Sequence, residues 1–235
     1  MEERLRLTKE KIISGLEKHQ LHNLAGRPYD CTFDLLAAPR ERKRLIMVGF
    51  NGSDVDKDMT NAQSVMKDFI SPSYSNIHQG TLGGWGIKHL ATRLQSVPEQ
   101  LGFNWEETVY TNALMLCSRD AFSIKKAAEQ SPIQSLDKLI VSSMRFFAET
   151  TFSLCQPELI IAYSNGMSSH SSGRLLLHAF GEGQKPQFVN SSAYYSTYSF
   201  KARFGEFEVP VVGIRHMSRF KPDVNLIQQA WDIQR

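Results

Sequence analysis

The chain has 235 residues, of which 41% are hydrophobic and 22% charged, enough for one sizeable core and far from the composition of a disordered protein. No apolar run approaches the roughly 20 residues of a membrane-spanning helix, the charged start MEERLRLTKEK shows no secretory signal, and Cys31, Cys117 and Cys155 lack the spacing of a disulfide framework or a four-cysteine metal site. A net charge of +3 permits a polyanionic partner without requiring one, and a reducing, cytoplasmic setting is expected.

In chain order, residues 3–18 predict an amphipathic helix with Leu5, Ile12, Ile13 and Leu16 on one face, followed by a loop through Gly26, Arg27 and Pro28. The basic run PRERKRL (Arg40, Arg42, Lys43, Arg44) reads as a solvated lead-in to the buried strand LIMVGF (45–50), which Asn51-Gly52 closes in a tight turn. Helices are expected over 60–70 and 87–96, separated by a Ser/Gly/aromatic loop at 71–86. TVYTNAL (108–114) predicts a second strand, 135–155 a long helix ended by Pro157, and ELIIAYS (158–164) a third strand. GRLLLHAF (173–180) is helical in pattern, QFVN and EVPVVGI (208–214) are further strands, and a last helix starts near Asp223. The stretch NSSAYYSTYSFKARF (190–204) resembles an exposed strand pair with an aromatic surface, for which ordinary sheet packing is favoured over contacts to bases or backbone. Alternation of apolar strands with helices predicts an α/β layer fold with a mainly parallel central sheet, in one domain over 1–235: a helix and lead-in at 1–40 and the core at 41–235.

Open sheets of this kind bind ligands beyond the carboxyl ends of their strands. The strand ends deliver Gly49-Phe50-Asn51-Gly52-Ser53-Asp54, then Asn112, then Ser164-Asn165-Gly166, then Arg215-His216-Met217-Ser218-Arg219-Phe220. Three asparagines and a histidine therefore meet where a polar pocket belongs. Asp54, Asp56 and Asp58 lack the glycine and distal glutamate of a calcium loop, and His19-x-x-His22 has no third ligand nearby, so no metal site is predicted.

In order and spacing, GFNGS, VYTNALMLCSR, PELIIAYSNG and GIRHMSRF resemble the uracil-DNA glycosylase superfamily over about residues 42–230. The resemblance implies a three-layer αβα fold on a four-stranded, mainly parallel sheet. It also implies a cofactor-independent, monofunctional DNA N-glycosylase that flips out a pyrimidine and hydrolyses its glycosidic bond, acting as a monomer on duplex DNA. On it, Asn51 positions the attacking water, with Asp54 as a second water activator, and Asn112 reads the base edge with Gly49, Phe50 and Gly52 around it. His216 stabilises charge developing on the leaving base. Asn165, Gly166, Arg215, Ser218, Arg219 and Phe220 contact DNA, with Phe220 as the wedge that fills the gap left by the flipped nucleotide and Lys221 facing phosphate.

Two departures stand out. Gly52 and Met217 occupy positions where this family usually has proline, which predicts loosened or reshaped catalytic loops, and the base-stacking aromatic is open among Phe50, Phe69, Tyr74 and Trp85. A loosened pocket suits a bulky substrate such as a glucosylated hydroxymethylcytosine and resembles the anti-phage members of the superfamily; uracil is the ordinary alternative. Two other readings use the same residues: a non-catalytic reader of modified bases, and a small-molecule nucleoside or nucleotide hydrolase.

Overall fold

The computed structural model describes residues 2–29, 43–52, 57–70, 88–104, 107–164, 166–190 and 197–235. Asp54, Asp56, Tyr74, Trp85, Asn165, Cys31, Arg40, Arg42 and the loop 71–86 lie outside them, as does the side chain of Phe69. The architecture is α/β, with seven helices among the described residues and a mixed six-stranded sheet.

The helix α1 (Glu2–Lys18) buries Ile12 and Leu16, one turn apart, completely. Ile13 is only partly buried, because the stripe that meets the core is narrower than the sequence pattern suggests. The lead-in that follows is no appendage. Leu21, Leu24 and Tyr29 are fully buried, and the Tyr29 hydroxyl lies 2.9 Å from Thr151 Oγ1.

Strand β1 (Leu45–Gly52) pairs in parallel with β2 (Thr108–Cys117) on one side and β3 (Leu159–Ser164) on the other. β3 pairs in parallel with β6 (Phe207–Arg215). Two further strands, β4 (Gln187–Asn190) and β5 (Thr197–Phe204), add antiparallel to the β6 edge, so the order is β2-β1-β3-β6-β5-β4. The four-stranded expectation is therefore corrected to six. β5 and β6 are joined through Gly205 and Glu206, with φ of 61° at Gly205, a two-residue hairpin turn. Nor is β5 an exposed surface: Tyr198, Phe200 and Ala202 are at most 1% exposed. Its aromatics face a helix-covered core, and sequence alternation alone does not say which face of a strand is covered.

Helices cover both faces. α1, α4 (Ile124–Gln130), α5 (Leu136–Phe146) and α6 (Ser172–Phe180) share one core with Ile46, Val48, Phe50, Ala113, Ile160, Ala162 and Val211. α2 (Asn61–Ile70) contributes Val65 to it. α3 (Lys88–Gln100) and α7 (Val224–Asp232) share the other with Leu45, Met47, Tyr110, Ile161, Tyr163, Val212 and Ile214. α5 starts at the Ser135 cap, whose hydroxyl accepts from Lys138 N–H, and runs on through a π turn (Phe147–Phe152) to Cys155. It stops at Gln156, in the left-handed region at φ 47°, just before Pro157. α4 falls in a stretch for which no helix was expected.

At the amino end of the parallel strands, Arg44 joins three of them. It pairs bidentately with Glu158 at 3.0 and 3.1 Å and with Glu107 at 3.1 Å, and its guanidinium lies 5.0 Å from the Phe103 ring centre. Lys43 is 3% exposed. The described part of the first basic cluster is thus a structural tie rather than a solvated lead-in.

Candidate active site

Strand alternation puts Gly49 and Asn51 on the same face as Leu45 and Met47. Register sets Gly49 beside Asn112 of β2. The approach is close: a methyl group on Gly49 would stand 2.5 Å from Asn112 Oδ1 and 3.2 Å from the Tyr163 hydroxyl. Only glycine lets the carboxamide and the phenol come together over that strand. Tyr163 in turn lies edge-on to His216, ring centres 6.2 Å apart. Gly49, Asn51, Asn112, Tyr163 and His216 thus gather on one face at the carboxyl end of the parallel strands.

Asn51 and Gly52 do not form a turn. Both belong to β1, with a bulge between them, and Gly52 pairs with Cys117. The Asn51 amide nitrogen donates to the Gly52 carbonyl at 2.7 Å and to Ser118 Oγ at 2.9 Å. Since a carbonyl only accepts, the amide orientation follows, and both amide protons are spent. What Asn51 can offer a ligand or a water is its acceptor oxygen.

His216 accepts from Ser218 N–H at 3.2 Å at Nδ1, with the Ser218 hydroxyl 2.7 Å from the same atom. A backbone N–H must donate, so Nδ1 is unprotonated and the neutral ring carries its proton on Nε2. Burial, with a smaller contribution from the Arg219 charge, holds the imidazole below the ordinary value of 6.5. The ring is a neutral donor near pH 7.

The loop bearing His216 is held by packing and hydrogen bonds. Met217 is fully buried in the α3/α7 core, Arg93 of α3 donates to the Met217 carbonyl, and the amides of Arg219 and Phe220 both donate to the His216 carbonyl at 3.1 Å. Apolar burial replaces the constraint of a proline ring. Gly52 is held likewise, its carbonyl accepting from Ser118 N–H at 3.1 Å and its Cα position close against Cys117. The expectation is of loops loosened or reshaped; at Met217 core burial and these bonds stand where the proline ring would, and residues 53–56 after Gly52 lie outside the described residues.

Three further placements differ from the expected roles. Phe50 points to the opposite face, into the α1/α5/α6 core and edge-on to His170 at 6.1 Å, so it is not on the side where Asn112 would hold a base. Ser218 directs its hydroxyl at His216, a positioning role. Gly166, at φ 61°, is buried, and its carbonyl accepts from the Tyr198 hydroxyl at 3.1 Å and from Ser171 Oγ, so it shapes a turn. Phe220 belongs to neither core; it is half-exposed with the Arg215 guanidinium 3.2 Å from its ring centre, and Arg219 and Lys221 are exposed beside it.

Sequence reasoning missed Tyr163, Ser118 and Arg93. For Tyr163 a signal existed, since alternation from Ile161 puts it on the pocket face. Ser118 and Arg93 act through contacts 67 and 124 residues away, for which the sequence carries no local mark. Among the described residues no group of three or more His, Cys, Asp and Glu is arranged to hold a metal ion. None of their helices is long and apolar enough to cross a membrane. No family model matches the chain, and a search of the curated proteins finds no match to it.

Proposed function

We propose that the protein is a DNA N-glycosylase of the uracil-DNA glycosylase type, which extrudes a pyrimidine nucleotide and hydrolyses the bond between the base and C1′. The observation that carries this reading is the convergence of Asn51, Asn112 and a His216 whose Nε2 bears the proton on one face of the carboxyl edge of parallel strands. In this reading the β2-β1-β3-β6 quartet is the part of the sheet corresponding to the superfamily core, and β5 and β4 are additions at its edge.

The chemistry needs a water at C1′ and a base that departs with the bonding electron pair. The Asn51 oxygen accepts a hydrogen bond from the water and aims it; a carboxamide is no strong base, so most of the acceleration comes from the leaving group. His216 donates from Nε2 to the oxygen of the base on which negative charge grows, and a neutral donor does this without first giving up a proton. Asn112 pairs with the base edge over Gly49. The water's hydroxyl ends on C1′ and its proton on the departing base. Outside the pocket, Phe220 and the Arg215, Arg219 and Lys221 cations face the backbone, where an inserted ring offsets the few kcal/mol lost on unstacking.

The test is base release from oligonucleotides carrying uracil, a thymine mispair, hydroxymethylcytosine or its glucosylated form, read as strand cleavage by alkali. Release by the wild type, lowered about 100- to 1,000-fold in His216→Ala and similarly in Asn51→Ala, is expected. The base that reacts then chooses between repair and defence against phage DNA. Silence on all four, with specific binding retained, would replace the enzyme by a reader of modified bases.

A further inference from the structure

The opposite flank of the same sheet edge carries a second aromatic. After β2 the chain makes a 3₁₀ turn, Ala121–Ser123, on which Phe122 is 78% exposed. A single exposed phenylalanine is ordinary; this one is mounted. Asp120 caps the turn, accepting from Ser123 N–H and Ser123 Oγ, both at 2.8 Å. The Ser118 hydroxyl donates to the Asp120 carbonyl at 2.6 Å, and the same oxygen receives the Asn51 amide. The Phe122 ring lies 4.9 Å from the His170 ring, which in turn meets Phe50. One edge of the phenyl is therefore braced while most of its surface faces solvent.

Cations flank it. The Arg119 side chain is 80% exposed, with its Nε 3.3 Å from Asp120, and the Lys125 side chain is 72% exposed. Lys126 is also exposed. Of the nearby carboxylates, Asp120 is engaged in the turn cap, and Glu129 lies 4.0 Å from Lys125, one helical turn away. The bonds from Asn51 to Ser118 and from Ser118 to Asp120 put the Phe122 turn next to the candidate pocket, on the side of the sheet edge towards which Phe50 turns, while β6 and its loop lie three inter-strand spacings, roughly 14 Å, from β2. An exposed ring with cations around it suits a strand that offers both bases and phosphates, and a paired duplex hides its base faces.

We propose that Phe122, with Arg119, Lys125 and Lys126, is a stacking platform for an unpaired nucleotide on the strand that carries the flipped base. This rests on the glycosylase reading and extends it: the bound DNA is opened on the Phe122 side of the pocket. The probe is an oligonucleotide with a tetrahydrofuran abasic analogue, three unpaired nucleotides on one side and 2-aminopurine at each flanking position in turn, compared with a fully paired duplex of the same sequence. Phe122→Ala is expected to weaken binding to the opened probe by about 5- to 100-fold. It should also abolish quenching at one flanking position, while thermal unfolding and binding to the paired duplex stay near wild type. Arg119→Gln should lower the slope of log affinity against log salt by about 0.7 on the opened probe. Unchanged affinity and quenching in Phe122→Ala, in a protein that releases bases, would overturn the platform alone. A wild type that neither releases bases nor prefers abasic DNA would overturn the glycosylase reading, and the platform with it.

Discussion

At the scale of single residues, the state of His216 is the feature with the most chemical consequence. Its folded-state value lies below 6.5, so below pH 6.5 the unfolded chain binds more protons than the folded one. The group's contribution to stability is therefore present above 6.5 and is lost as pH falls through the folded value. On the proposed glycosylase reading, base release should follow the same direction, because a protonated Nδ1 no longer accepts from the Ser218 N–H that sets the ring. An acid limb below pH 6.5 is expected in the rate profile of the wild type. In Arg219→Gln that limb moves up towards the ordinary histidine value, since a nearby positive charge that disfavours protonation has gone. The move shrinks at high salt because Arg219 is exposed. A rate profile at two ionic strengths measures it; a limb that moves down in Arg219→Gln would contradict the assignment.

At the scale of elements, two things hold the His216 loop: a methionine in the core and an arginine from a neighbouring helix. Met217→Ala leaves a cavity beneath α3 and α7, and a loss of about 2–4 kcal/mol in urea unfolding is expected. Arg93→Gln keeps the core intact and removes the hold on the Met217 carbonyl, so turnover should fall more than stability does. Comparing urea midpoints with rates in the two variants separates the roles. Boundaries of this kind were readable where a local residue makes them: Ser135 and Asp223 cap their helices, and Gln156-Pro157 ends α5. α4 escaped because IKKAAEQ is one short amphipathic stretch whose burial of Ile124 and Ala128 depends on α5 and β2. The exposure expected of β5 was wrong, though not its packing in a sheet, because only its neighbours β4, β6 and the covering helices decide that its aromatics are inside.

At the scale of the whole molecule, the two basic clusters singled out in the sequence have their described parts at opposite ends of the sheet. Arg44 ties the amino ends of β1, β2 and β3, whereas Arg215, Arg219 and Lys221 stand at the carboxyl end beside the pocket. A glutamine triple variant of the latter three should lower the salt slope of single-strand binding by about 2. Arg44→Gln should leave that slope unchanged and lower stability by about 1 kcal/mol, through a bidentate pair and a stacked stem. Equal effects of the two variants on the slope would mean that DNA reaches the amino end as well.

Composition and periodicity by themselves determined the α/β class, five of the six strands approximately with the sixth inside a stretch read as a strand pair, and most of the helices, and they pointed to the carboxyl strand ends as the place for a site. Those features are local: apolar alternation, caps, prolines and turn residues act within a few positions of the chain. Only the tertiary structure decided which face each strand end serves, that Phe50 turns away while Tyr163 turns in, that Met217 and Arg93 hold the His216 loop, and which nitrogen of His216 carries the proton. Each depends on contacts made across the sheet or between layers, and such contacts leave no periodic trace in the sequence.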